Sequence, residues 1–301
     1  MKLAVLMSSY NGEKFIRQQI DSILAQQCQA DVELIVRDDG STDSTRQILE
    51  TYAQAGKLRW YHGENLKPAK SFLDLVCHCP GYDYYAFADQ DDYWHPNKLQ
   101  SGMDMLGSDP RPAMVFANAR LVDENLAYLG RNVYNKAPNH DFYSVLCGGG
   151  ILGCTVTFNS HLAKLVQTYP NPEKLIMHDS YIAILCTLFD GKIHFDPNPH
   201  MDYRQHGHNV VGTQWTKLDA IKNRIQRITV PQKVSISEMA QSILDQDPQV
   251  TNKDKLCFLQ QVADYRRSVI SAIGLACSGK PTYNSKNMAV TMRLAMLMRN
   301  R

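Results

Sequence analysis

Four short apolar runs near the N-terminus, Leu3 to Met7, Val32 to Val36, Leu58 to Tyr61 and Tyr84 to Ala88, are separated by stretches of helical periodicity. That alternation is the tightest constraint on what the chain can fold into. Runs of this length, rich in Val, Leu, Ile and aromatic residues, read as strands. Between the first two, Ile16, Ile20, Ile23 and Leu24 recur on one helical face, with Asn11 available as an N-cap. Further helices fit Ser44 to Ala55, Lys70 to Cys77 and Pro96 to Leu106. Strand and helix in regular turn imply an α/β fold: a mostly parallel central sheet with flanking helices, wound by right-handed crossovers. Ligands of such sheets gather at the carboxyl ends of the strands.

The residues at those ends are polar and acidic. SSYNG follows the first run, DDGSTD the second and DQDDYW the fourth. After a fifth strand at Met114 to Ala117 the pattern loosens into a hairpin around Asp123 to Asn125. A glycine-rich turn at Gly148 to Gly150, a strand at Thr155 to Phe158 and helices at Ser160 to Gln167 and Ser180 to Phe189 come next. Beyond about Gly212 the alternation stops and helices alone are expected, including Asp254 to Cys277 and Asn284 to Arg299. This divides the chain into a catalytic domain over 1–215 and a helical C-terminal region over 216–301.

Charge follows the same division. Residues 216–301 hold 14 Lys and Arg against 6 Asp and Glu, so a total of +2 conceals +8 there and −6 before it. A basic terminal segment suits either an anionic membrane face or plain solvation. With 301 residues, 44% of them hydrophobic and 21% charged, the chain can bury a core and shows no tract that argues for disorder. Its eight cysteines include no CxxC pair and read as reduced thiols. The opening KLAVLM run is too short for a signal peptide or a membrane span, which leads to an expectation of a cytoplasmic protein.

Four constellations could carry chemistry. In FADQDDYW, Asp89, Asp91 and Asp92 crowd one turn after a strand, where like charges repel unless a cation or strong donors compensate. A divalent ion shared with a diphosphate would do so, and a surface turn capping the next helix is the plain alternative. Trp94 beside them suggests a pocket wall. In DDGSTD, Asp38 or Asp39 could bind a nucleobase or ribose, whereas Asp43 reads as a helix cap. HDSY puts Asp179 in the first turn of a helix, as a cap or as a general base. YRQHGHNVVG gathers Arg204, a planar fork suited to a diphosphate, with His206 and His208, of which His206 could bind a metal.

SSYNGEKFIRQQIDSIL, DDGSTDST, FADQDDYWHPNKL, GCTVTFN, HDSY and YRQHGHNVVG, in this order over residues 1 to about 212, together resemble glycosyltransferase family 2. The DQDDxW and YRQHGxNxVG forms are similar more narrowly to its bacterial rhamnosyltransferases of cell-wall or capsular polysaccharide synthesis. The resemblance implies the nucleotide-diphospho-sugar transferase (GT-A) fold and an inverting, metal-dependent transfer. By position it places Ser8, Tyr10, Asp38, Asp39, Lys70, Asp89 and Arg204 at the nucleotide donor, and Asp91 and His206 at Mg²⁺ or Mn²⁺. Gln90, Asp92 and Trp94 fall in the donor and acceptor pocket, and Asp179 at the catalytic base, although HD stands here where many members have ED. The implied donor is dTDP-L-rhamnose, with UDP-linked sugars second, and the implied acceptor is a glycan or a lipid-linked glycan. Nucleic acid is not an expected partner. Peripheral membrane contact through the basic C-terminal region and homo-oligomerisation are both compatible with the sequence. Two rivals are a nucleotidyltransferase, disfavoured because SSYNGEK has a single glycine, and an inactive nucleotide-binding scaffold.

Overall fold

The computed structural model describes residues 1–148, 150–170, 172–205, 225–226, 228–230, 232–283 and 285–300. The chain folds into two compact units, one built from 1–137, 152–170 and 191–212, the other from 138–151, 171–190 and 213–301. The units interleave along the chain. Two segments that precede residue 215, including the helix that bears Asp179, therefore belong with the C-terminal helices.

The first unit holds the sheet. Its strands are β1 (Lys2–Ser9), β2 (Asp31–Asp38), β3 (Arg59–His62), β4 (Tyr84–Asp89), β5 (Tyr93–Trp94), β6 (Ala113–Val122), β7 (Tyr128–Asn132), β8 (Thr157–Asn159) and β9 (Lys192–Arg204). The order is β3-β2-β1-β4-β8-β6-β9-β5, with β7 paired to β6. As the alternation requires, β3, β2, β1 and β4 run parallel. Beyond β4 the sheet is mixed: β8 is antiparallel to both β4 and β6, and β5 to β9, while β6 and β9 run parallel. The expected hairpin is the β6–β7 pair, Val122 opposite Tyr128.

The helices of this unit are α1 (Ile16–Leu24), α2 (Thr45–Gln54), α3 (Lys67–His78) and α4 (Lys98–Leu106), followed after a gap by one at Ser160–Thr168. Strand alternation sends Leu3, Val5 and Met7 to one face of β1, where they join Ile16, Ile20 and Ile23 of α1 in the core. Burying each such side chain contributes roughly 1.5–3 kcal/mol. On the other face Phe72 of α3, Phe87 of β4 and Phe158 of β8 meet with ring centroids 5.0–5.1 Å apart. Asn11 does not cap α1. It takes a left-handed φ of 48°, and its Oδ1 accepts a hydrogen bond from the Thr42 amide at 2.9 Å, which ties the loop after β1 to the loop after β2.

The second unit is helical among its described residues, with helices at Phe142–Gly148, His178–Leu188, Ile236–Leu244, Lys253–Asp264, Val269–Cys277 and Lys286–Leu297. The single helix expected over Asp254 to Cys277 is two, because Ser268 turns to extended backbone and its side chain accepts the Ser271 amide, starting a new helix. Among the described residues no helix is long and apolar enough to cross a membrane. All eight cysteines are free thiols.

Candidate active site

Strand order reverses between β1 and β4. From β1 the chain winds outward through β2 to β3, then returns to place β4 on the far side of β1. This is the switch point where open α/β sheets form a crevice at their carboxyl edge. Register fills it: Ser8 of β1 lies opposite Asp89 of β4, and Ser9 opposite Asp38 of β2. Three polar strand ends, far apart in sequence, thus share one edge.

Across the crevice Gln90 bridges two loops. Its Oε1 accepts the Tyr10 amide at 2.9 Å, and its Nε2 donates to the Tyr10 carbonyl at 3.0 Å. This holds the half-exposed Tyr10, 48% accessible, beside the acidic turn. Gln90, expected in the donor and acceptor pocket, anchors the Tyr10 backbone. Gly12 makes room for it, because a Cβ there would sit 2.6 Å from Gln90 Cδ. Gly12→Ala and Gln90→Ala should therefore break the same two hydrogen bonds, each costing about 1–2 kcal/mol and raising the KM for donor. In a double-mutant cycle the pair should be little worse than either alone, and additive losses would show that the two do not act together.

The acids divide by burial. Asp92 is 0% exposed, and its Oδ1 accepts the Arg204 amide at 3.1 Å. Burial, then the like charges of Asp91 and Asp89, push its carboxyl well above the usual carboxylate range. It is enclosed inside the protein and does not line an acceptor pocket. Trp94 is likewise in the core, with the Lys98 ammonium 3.8 Å from its ring centroid. Burial lowers Lys98 to a pKa of about 8. Asp89 and Asp91 are partly exposed.

Arg204, expected to meet a diphosphate, is 1% exposed. Its Nε donates to the Asp91 carbonyl at 2.7 Å, its other nitrogens to the Glu124 carbonyl and to Gln18 Oε1, and its guanidinium lies 4.5 Å from the Phe15 ring centroid. The planar fork is used to shape the acidic turn from beneath. Burial lowers its pKa, opposed by the charges of Asp92, Asp91, Asp123 and Glu124.

The two acids after β2 are also engaged. Asp38 accepts the Ser41 amide at 3.0 Å and Arg46 Nε at 2.8 Å. Asp39 pairs with Arg37 and accepts the Leu66 and Lys67 amides at 3.1 and 2.9 Å. Asp43 does not cap α2, whose N-cap residue is Ser44; it accepts the Thr45 amide at 3.0 Å as a local turn just ahead of the helix. Ser8 Oγ is 2.7 Å from Ser71 Oγ at the start of α3, next to the exposed Lys70. His206 and His208 lie outside the described residues.

Whether these groups suit a divalent ion depends on their chemistry. Ligand atoms of Asp89, Asp92 and Cys154 lie within 4.8 Å of one another. Burial and the nearby acids raise the Cys154 thiol well above its usual range, and a soft, buried sulfur is a poor match for a hard cation. Asp89 and Asp91, oxygen donors at the rim, suit Mg²⁺ or Mn²⁺. Cys154 and Lys98 carried no signal in the sequence, because only the folded sheet brings them under the acidic turn.

In the second unit, Asp179 lies in the first turn of the helix at His178–Leu188, 8% exposed, and its Oδ1 accepts the Ser180 amide at 2.5 Å. A helix N-terminus favours a charged carboxylate at this point. Burial lowers the preceding His178 to a pKa of about 3, so the imidazole is neutral.

The sequence profile of Glycosyl transferase family 2 matches residues 4–169. A dTDP-rhamnosyl transferase of Shigella flexneri, RfbG, is 28% identical over 246 residues, covering 73% of this chain and 81% of its own. An uncharacterized glycosyltransferase of Nostoc is 27% identical, covering 69% and 66%. Among solved structures, TarS of S. aureus in complex with UDP-GlcNAc superimposes with a TM-score of 0.55 at 14% identity, covering 99% of this chain and 90% of that one. The mannosyltransferase PcManGT of Pyrobaculum calidifontis, in complex with GDP-Man and Mn²⁺, gives 0.52 at 15% identity, covering 99% and 85%. At such identities the solved structures bear on the fold, which is theirs.

Proposed function

The chain belongs to glycosyltransferase family 2, and from that premise we propose that it is an inverting, metal-dependent transferase of L-rhamnose from dTDP-L-rhamnose to a hydroxyl of a glycan or lipid-linked acceptor. The setting is cytoplasmic synthesis of a cell-wall or capsular polysaccharide. The observation that carries the reading is the acidic turn at the switch point, with Asp89 opposite Ser8 and joined through Gln90 to Tyr10. The rhamnosyl donor is supported by the Shigella relative.

In this reading Tyr10 and Asp39 hold the base, with Ser8 and Lys70 nearby, and Asp89 and Asp91 face the diphosphate. A divalent ion held by Asp91, with His206 as a further ligand, would offset negative charge growing on the leaving diphosphate. Asp179 takes the proton of the acceptor hydroxyl. The hydroxyl oxygen forms its bond to the anomeric carbon as the bond from that carbon to the diphosphate oxygen breaks, which inverts the centre in one displacement. Arg204 and Gln90 are positioning residues that fix the acidic turn and the Tyr10 loop.

The test is a panel of dTDP-rhamnose, UDP-GlcNAc and GDP-mannose, read as metal-dependent release of nucleotide diphosphate. Release from dTDP-rhamnose alone is expected, and release from the UDP sugar alone would move the donor to the second reading. Calorimetry with dTDP and Mn²⁺ should show binding that Asp91→Ala removes. No affinity in the wild type, with or without metal, would favour the inactive scaffold.

A further inference from the structure

A helix apolar on all sides is normally buried on all sides. The helix at Val269–Cys277 is not: Ala272, Leu275 and Ala276 pack inward, while Val269, Ile270 and Ile273 are 60%, 83% and 47% exposed. Gly274 and Cys277 share that exposed arc, so the face turned to solvent carries no polar side chain. The helix packed against it, Lys286–Leu297, repeats the pattern. Val290, Leu294 and Leu297, spaced i, i+4, i+7, are 57%, 43% and 41% exposed, with Met298 at 59% just beyond. Lys286 and Arg293 fall beside this stripe.

Two neighbouring helices that leave apolar stripes open to water mark an interaction surface. Charge selects the partner. Residues 265–301 contain seven Lys and Arg and no Asp or Glu, and of the seven Arg266 and Arg267 pair with Glu238 and Asp264. Among the described residues no carboxylate pairs with Lys286 or Arg293. A second copy of the same face would bring cations against cations with no acid to receive them. An anionic bilayer surface answers both features at once, taking the apolar side chains below its headgroups and the Lys and Arg at them. We infer that the helices at 269–277 and 286–297 dock this protein on an anionic lipid surface, with Ile270, Ile273, Val290 and Leu294 entering the interface and Lys286 and Arg293 meeting lipid phosphates.

The inference goes beyond the transfer reaction and is measured without donor or acceptor. The full chain is sedimented with phosphatidylcholine vesicles and with vesicles containing phosphatidylglycerol. It should partition onto the second kind only, and less as salt rises. Lys286→Gln and Arg293→Gln should each lower partition about fivefold, and Ile270→Ser with Ile273→Ser about tenfold or more. These exposed positions lie outside the acidic site, so dTDP binding should be unchanged in every variant, which also reports that each has folded. No partition onto anionic vesicles, or partition indifferent to these variants, overturns the inference. A dimer in sedimentation velocity that Ile270→Ser dissolves overturns it in favour of a second copy. Vesicle binding without any sugar transfer would sink the functional reading and leave the lipid surface standing.

Discussion

Asp179→Asn is expected to lower turnover about 10²–10⁴-fold, the usual range for losing a positioned general base, while leaving dTDP affinity and thermal stability near those of the wild type. The substitution keeps volume and shape, and the amide oxygen can still accept the Ser180 N–H that Oδ1 now accepts. What it removes is the ability to take a proton. The preceding residue, His178, is buried and its imidazole is neutral, so it offers no second carboxylate to take the proton in place of Asp179. Single-turnover transfer and nucleotide binding separate the two effects. Transfer by Asp179→Asn within about tenfold of the wild type would take the base role away from this residue.

Arg204→Ala should be the most destabilising single change at the acidic turn, about 3–5 kcal/mol in denaturant unfolding, as when one member of a buried charged network is removed. The alanine leaves the Asp91 and Glu124 carbonyls and Gln18 without the donor each now has from this side chain, and opens a space beneath Phe15. It also removes the positive charge that faces Asp91 and Asp92. Arg204→Lys restores the charge without the fork and should recover less than half of the loss, since one ammonium cannot reach three acceptors set in different directions. Nucleotide binding should fall in both variants. A loss of stability below about 1 kcal/mol with dTDP affinity still falling would instead fit a guanidinium that meets substrate and carries little structural weight.

Much of the first unit was legible because strands and helices announce themselves locally. The apolar runs at 3–7, 32–36 and 84–88 became β1, β2 and β4, and the polar residues after them fell at one edge because parallel strands align their carboxyl ends. The mixed half of the sheet was less legible. β5 has two residues, too short for periodicity to register, and β9 runs for 13 residues through two prolines that read as breaks. The interleaving of the two units was not legible at all, since segments 138–151 and 171–190 join the C-terminal helices through packing that a linear reading does not see.

The sequence by itself determined that acids, a tyrosine and serines stand at the ends of successive parallel strands, because residue order and strand direction together fix which ends point the same way. Only the tertiary structure decided what each of them does there. Asp91 and Asp92 are neighbours in the chain, yet one is partly exposed and the other is buried near Cys154, where burial raises its carboxyl pKa. Arg204, distant from both in sequence, spends its hydrogen bonds on the backbone below them. Access to water sets the charge and role of a polar side chain, and access is a property of what packs around it.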